Sequence, residues 1–152
     1  MFYFNVITRR FLELFILEVL LSAIFSALFH FQLLPSYLGI VTLVLIIELT
    51  VFIGLNTIMM RHCYIDLSNN FLYFILNFSA NLIFGIVNLA FYFILNQKAY
   101  TWFFGIFKAT SIIANTGIFF SAAVFHLIML LMICAAPFGI KRLQEKNTNV
   151  RY

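Results

Sequence analysis

The chain has 152 residues, of which 64% are hydrophobic and 9% are charged. A soluble domain is about 45–50% apolar and about 25% charged, so this composition excludes an ordinary water-soluble fold. The formal net charge of +4 fits attraction to anionic lipid headgroups. There is no basic domain to hold DNA, and we expect the lipid bilayer, not nucleic acid, as a partner.

Four apolar segments, near 11–34, 37–60, 71–95 and 111–136, are long enough to cross a bilayer, which takes about 20 helical residues. In lipid every backbone N–H and C=O must be bonded internally, so only helices or a closed barrel can span. Barrel strands alternate polar and apolar residues, whereas these runs are continuously apolar. We therefore predict an all-α integral membrane protein, a single domain over 1–152, with four transmembrane helices in an antiparallel bundle.

The connections between these segments are short. The first outer turn, 32–36, contains Pro35, which suits a tight connection between neighbouring helices. The segment 101–108, TWFFGIFK, has aromatic residues typical of the membrane interface, so we expect it to lie partly along the surface. Arg9 and Arg10 precede the first segment, as basic residues do in a signal peptide. The apolar run of this segment, however, is longer than the apolar core of a signal peptide, which has about 7–15 residues. We expect an uncleaved first helix.

Basic residues predict how the chain is threaded, because Lys and Arg in short loops collect on the cytoplasmic side. With both termini inside, seven basic residues are cytoplasmic and two, Lys98 and Lys108, are external. The seven are Arg9, Arg10, Arg61, Lys141, Arg142, Lys146 and Arg151. We predict that both termini are cytoplasmic, and we expect the bacterial cytoplasmic (inner) membrane as the location.

Asparagines recur along the third apolar segment, at Asn70, Asn77, Asn81 and Asn88. Their spacings of seven, four and seven residues place them on one narrow stripe of a helix with 3.6 residues per turn. One interpretation is that the amides join neighbouring helices by hydrogen bonds. The other is that they line a polar cavity for a ligand or ion.

A second polar stripe is predicted on the fourth helix, formed by Lys108, Ser111, Asn115 and His126. Stripes on adjacent antiparallel helices would face each other. A buried His is usually a hydrogen-bonded core residue, although His126 has the chemistry for proton transfer. The candidate intramembrane polar site therefore comprises Glu48, Asn77, Asn81, Asn88, Asn115 and His126.

The carboxylates differ in predicted depth. Glu13 is near the cytoplasmic interface, where an ion pair with Arg9 or solvation is enough. Glu18 is one turn deeper and is followed by Ser22 and Ser26. Because small residues four apart let helix backbones approach, we expect Glu18, Ser22 and Ser26 to form a helix-packing face.

Glu48 lies in the middle of its apolar segment, LVLIIELTVFIGLN, where a charge costs at least about 2.5–3.5 kcal/mol. We expect it to be uncharged and to face the amides of Asn77 and Asn81. It is either a hydrogen-bonded packing group or a functional residue.

The sequence shows no catalytic or metal-binding motif. Cys63 and Cys134 are far apart and are predicted near the cytosolic surface, where thiols stay reduced. Three scattered histidines support neither a metal site nor a haem, and no phosphate loop or nucleophile elbow is present. We expect no catalytic residues, no cofactor, no metal and no enzymatic activity.

Two functions remain open. The first is a small non-enzymatic membrane protein that acts through intramembrane contacts with another membrane protein or by self-association, as an assembly subunit, regulator or immunity-type factor. Its layout is comparable to that of bacteriocin immunity proteins with four membrane helices, without a shared motif.

The alternative is a carrier or flippase for a small polar or lipid-linked cargo, using Glu48 and the Asn-rich face of the third helix. The segments RFLELF (10–15) and GLNTIMMR (54–61) resemble small four-helix families that move polyprenyl-linked sugars. This chain lacks their Gly-containing first-helix pattern and their aromatic NRxW-like endings.

Overall fold

The computed structural model describes residues 2–35, 37–63, 70–94, 105–118 and 122–149. This part of the chain is 94% helical and contains no strand, which confirms the all-α prediction. The elements are α1 Phe2–His30, α2 Leu38–Cys63, α3 Asn70–Ile94, α4 Ile106–Ile113, a π-helical turn Ala114–Ile118, and α5 Ala122–Asn149.

Four of these helices are long and apolar enough to cross a membrane, as predicted, with candidate spans Phe4–His30, Leu38–Met60, Phe74–Ile94 and Ala123–Asn147. Their bounds differ most from the predicted ones in the first and the last of these helices. The first helix begins at Phe2 instead of near Phe11, and the last continues through Pro137 to Asn149. Apolar residues precede Arg9 as well as follow it, and a membrane helix tolerates a proline where neighbouring groups satisfy the freed carbonyl.

The fourth apolar segment is not the continuous helix predicted for 111–136. Its first part belongs to the short helix α4 and to the π-helical turn, and α5 begins only at Ala122. The expected interfacial segment 101–108 is described from Gly105 onward. There Ile106 and Phe107 are buried in the protein core. The position of this segment relative to the membrane surface stays a prediction, and 101–104 lie outside the described residues.

The C-terminus of α1 is capped by backbone hydrogen bonds. Gln32 has a φ of 57°, and the N–H of Leu33 donates to the carbonyl of Leu28 at 3.0 Å while that of Gln32 donates to Phe29 at 3.2 Å. This pair of bonds around a left-handed residue is the Schellman motif, which normally uses glycine. Pro35 follows and prevents the helix from resuming, as the sequence predicted for this turn.

The core lies where the long helices meet around Phe84 of α3. Phe84 stacks on Phe52 of α2, with ring centroids 5.5 Å apart, and meets Phe11 of α1 edge-on at 6.4 Å. Farther along, α3 approaches α5 closely enough for a Cβ on Gly85 to overlap the Leu130 side chain. The short helix α4 packs against α2, α3 and α5, which brings its first residues into the interior.

Candidate intramembrane site

Two carboxylates from different helices meet in the interior. Glu18 of α1 is 3% exposed and Glu48 of α2 is fully buried. Both lie near the middle of their candidate spans, Phe4–His30 and Leu38–Met60. The hydroxyl of Ser22 lies between them, with its Oγ 3.4 Å from Glu18 Oε1 and 3.4 Å from Glu48 Oε1. We call Glu18, Ser22 and Glu48 the carboxylate cluster.

The first turn of α4 reaches the carboxylate cluster. The backbone N–H of Ile106 donates to Glu18 Oε1 at 3.2 Å. The first N–H groups of a helix have no acceptor within the helix and carry a partial positive charge. They therefore favour negative charge on Glu18. Because Ile106 is buried in the protein core, this polar helix end lies beside Glu18.

Half of the carboxylate oxygens in the cluster have no hydrogen-bond partner. Glu18 Oε2 and Glu48 Oε2 are both buried without one. The ion pairs within the described ranges join Arg9 and Arg10 to Glu13 and Lys141 to Glu145, so no basic side chain there neutralises Glu18 or Glu48. Buried charges in proteins are normally paired, and the cluster departs from that rule.

A second buried polar group surrounds Arg10, which is 1% exposed. Its guanidinium donates to the carbonyl of Asn56 at 2.9 Å and also to the Asn56 side chain. Glu13 Oε2 lies 3.0 Å away, and Glu13 Oε1 is 3.1 Å from Arg9, so Glu13 forms the ion pair with Arg9 that is one of its two expected environments. Asn56 then donates to Asn81 of α3 at 2.9 Å. This Arg10 network joins α1, α2 and α3.

The expected pairing of Glu48 with the asparagine stripe is wrong. Glu48 turns to α1 and Ser22, while Asn81 accepts from Asn56 and donates to the carbonyl of Asn77 at 2.9 Å. Asn77 and Asn81 are both buried and Asn88 is half-buried. Within the stripe, Asn81 contacts α2 through Asn56 and so belongs to the Arg10 network and not to the carboxylate cluster.

The residues of the second predicted polar stripe also lie in different environments. His126 is buried in α5 with its Nε2 3.2 Å from the carbonyl of Phe107, and its ring stacks on Tyr92 at 5.4 Å. Tyr92 hydrogen-bonds to Ser111 of α4. Asn115 is exposed, because the π-helical turn breaks the register that would have aligned it with Ser111 and His126.

The other residues that the sequence predicted for the site or for helix packing differ in burial. Ser22 is fully buried, whereas Ser26 is half-buried. Lys108 is half-buried two residues after Ile106. The side chains of Asn70 and Cys63, and residue Lys98, lie outside the described part. Within that part, no three His, Cys, Asp or Glu side chains come together as metal ligands would.

Sequence reasoning placed Glu18 in a packing face and missed its partnership with Glu48. The feature that points to this partnership is the position of Glu18 along its span. With the first helix starting near Phe11, Glu18 lay close to one end, but in the span Phe4–His30 it is central. Arg10 and Asn56 were also missed as buried partners, since Arg10 was treated only as a topological marker.

The chain matches no known protein-family model, no curated protein and no solved structure.

Proposed function

We propose that the chain is a small membrane carrier, without enzymatic activity, that moves a small polar cargo across the bilayer through the carboxylate cluster. The observation that supports this proposal is the burial of Glu18 and Glu48 side by side at mid-span. Ionisable residues inside a membrane are costly and typically mark ion or substrate pathways. Two acidic residues on neighbouring helices are more than packing requires, since an apolar pair would pack at lower cost.

The broken fourth segment supports the same function. Carriers commonly form their binding sites from discontinuous helices, whose free ends supply polar backbone groups near the bilayer midplane. Here α4 begins at Ile106, beside Glu18, and passes through a π-helical turn before α5. Such turns occur frequently at functional sites. The break therefore gives this part of the protein both a polar helix end and a position at which it can bend.

The finer architecture belongs to the proposal too. Arg10 lies toward the beginning of α1 and Asn56 toward the end of α2, yet the two residues are in contact. That contact supports an antiparallel bundle. With the predicted topology, the Arg10 network is in the cytoplasmic half of a bacterial cytoplasmic membrane and both termini are in the cytosol.

A second candidate is the contact-dependent role, in which the protein acts as a subunit or regulator of another membrane protein. It is favoured by direct pairing elsewhere in the interior, where Asn56 bonds to Asn81 and His126 to the Phe107 carbonyl. These groups pair with one another and do not line an open path. The spans also expose large apolar side chains, such as Leu20, Ile24 and Leu131, which fit lipid or the helices of a partner.

Transport in proteoliposomes tests the carrier proposal. One assay follows internal pH with a trapped dye while a gradient of Na⁺, K⁺ or methylammonium is imposed. A second assay follows flipping of a fluorescent polyprenyl phosphate by its accessibility to an impermeant quencher. We expect flux in at least one assay with the wild-type protein, and its loss in Glu18→Gln and Glu48→Gln.

Glu145→Gln is the matched control, because Glu145 is a carboxylate on the exposed part of α5. It should retain full flux. Absence of flux in both assays, with correctly inserted and folded wild-type protein, would reject the carrier proposal. Stoichiometric co-purification of another membrane protein in mild detergent would then support the contact-dependent role.

A further inference from the structure

The number of protons available for hydrogen bonds indicates the charge state of the carboxylate cluster. A serine hydroxyl has one proton to donate, and an ionised carboxylate can only accept. Ser22 lies within hydrogen-bonding distance of both Glu18 and Glu48. Two full hydrogen bonds form when one carboxyl group is protonated and donates to Ser22 while Ser22 donates to the other.

The N–H of Ile106 determines which carboxyl group is ionised. It donates to Glu18 Oε1, the same oxygen that faces Ser22, so this oxygen acts as an acceptor twice. Glu48 has no backbone donor among the described residues and is therefore the group that holds the proton. The resulting chain runs from the Glu48 hydroxyl to Ser22 and from Ser22 to the Glu18 carboxylate, and it carries one negative charge.

The two remaining oxygens point to a ligand. Glu18 Oε2 and Glu48 Oε2 are buried on side chains that are at least nine-tenths buried, and neither has a partner. We propose that the carboxylate cluster binds a monovalent cation at these two oxygens in exchange for the proton of Glu48. This inference rests on the proposed carrier function for its biological role, and it names the cargo class of that carrier.

The exchange balances in atoms and charge. The O–H bond at Glu48 Oε1 breaks and its proton leaves to water, while the cation binds at Oε2 of Glu18 and Oε2 of Glu48. Ser22, with one proton, then donates to one of the two carboxylates. The cluster carries one negative charge before and after the step, so the stabilisation from the α4 N-terminus applies to both states. A divalent cation would change the net charge of the cluster to zero, so its exchange for one proton would not keep that charge constant.

Other titratable and charged groups on the packed helices are engaged elsewhere. Glu13 and Arg10 pair with each other, His126 contacts the Phe107 carbonyl, and Tyr92 contacts Ser111. Lys108 on α4 is half-buried. None of these five groups forms a hydrogen bond or ion pair with Glu18 or Glu48 within the described part of the chain. Proton release on cation binding is therefore expected from Glu48.

Proton release by purified protein in detergent tests the inference without requiring transport. Addition of NaCl, KCl or methylammonium chloride to weakly buffered protein, with choline chloride for ionic strength, should release one proton for each cation bound. The three salts distinguish inorganic from organic cations. Glu48→Gln should abolish release, and it should remain folded because its amide keeps the size and can donate to Ser22. Glu145→Gln should release normally.

A measurement on the wild-type protein makes the test independent of how the variants fold. Infrared difference spectra should show that the band of a protonated carboxyl decreases and that of a carboxylate increases on addition of the effective cation. Ser22→Ala should weaken cation binding, and Ser22→Thr should restore it by returning the hydroxyl.

Three results would overturn the inference: no proton release with any of the salts, release that persists in Glu48→Gln, or an unchanged carboxyl band. Its failure is distinguishable from that of the carrier proposal. Transport of the lipid-linked probe without cation exchange would reject the cation site alone, whereas cation exchange in detergent without flux in vesicles would reject the carrier alone.

Discussion

The guanidinium of Arg10 donates a hydrogen bond to the main-chain carbonyl of Asn56, 46 residues later, at 2.9 Å. An arginine that a topology rule places at the membrane surface is thus buried between helices. Its neighbour Arg9 has a side chain that is 71% exposed and pairs with the same carboxylate, Glu13. The two adjacent arginines therefore have different structural roles.

Arg10→Met is expected to destabilise the protein, because it leaves Asn56 and Glu13 without their buried donor. An unsatisfied buried group costs about 1–3 kcal/mol. Arg9→Met is the matched control and should change stability by no more than about 0.5 kcal/mol, as surface substitutions usually do. Unfolding by SDS in mixed micelles measures both, and equal losses would contradict the assigned roles.

The amide pair Asn56 and Asn81 should be coupled. Interhelical hydrogen bonds in membranes average about 0.6 and reach about 1.7 kcal/mol. A double-mutant cycle with Asn56→Ala and Asn81→Ala should give a coupling energy in this range. Asn115→Ala, at an exposed position, should have little effect on stability. Strict additivity of the two alanine variants would show that the contact is energetically irrelevant.

Gly85 is expected to be specifically intolerant of a side chain. A Cβ there overlaps the end of the Leu130 side chain, so Gly85→Ala forces Leu130 to move and Gly85→Leu separates α3 from α5. At Gly54 a Cβ meets nothing, and Gly54→Ala should stabilise α2 by up to about 1 kcal/mol through helix propensity. Leu130→Ala should partly rescue Gly85→Ala. Equal thermal stability of the two glycine variants would refute the close approach.

The two serines of α1 should respond unequally to enlargement. Ser22→Leu forces a large side chain between Glu18 and Glu48, and overpacking typically costs about 1–3 kcal/mol. Ser26→Leu should cost less because Ser26 is half-buried. Thermal unfolding in detergent, followed by circular dichroism, ranks the two. A Ser22→Leu variant as stable as the wild type would mean that this face is loosely packed.

The predicted topology has a direct test. A cysteine introduced at Lys98, with Cys63→Ser and Cys134→Ala removing the native thiols, should react with an impermeant maleimide added to intact cells. Reporter tags at either terminus should indicate the cytosol. If the introduced cysteine reacts only after the cells are opened, the protein has the opposite orientation.

Composition and apolar length were enough to predict the four long helices. An uninterrupted apolar run of about 20 residues has few alternatives, because lipid offers no hydrogen bonds to an exposed backbone. The turn at Pro35 was predictable for a similarly local reason, since proline has no N–H to donate to the preceding helical turn. The buried positions of Asn77, Asn81 and His126 also agree with the expectation that polar side chains in these helices face protein.

Only the tertiary structure decided which polar groups meet. Each span carries apolar side chains on all its faces, so hydrophobicity does not determine which face of a helix such as α2 turns toward the protein. The partner of Glu48 therefore depends on how α1 is placed beside α2. The placement of α4 is likewise non-local, because Ile106 contacts Glu18 across 88 residues. Because α1 already begins at Phe2, Glu18 is central in its candidate span, as Glu48 is in its own.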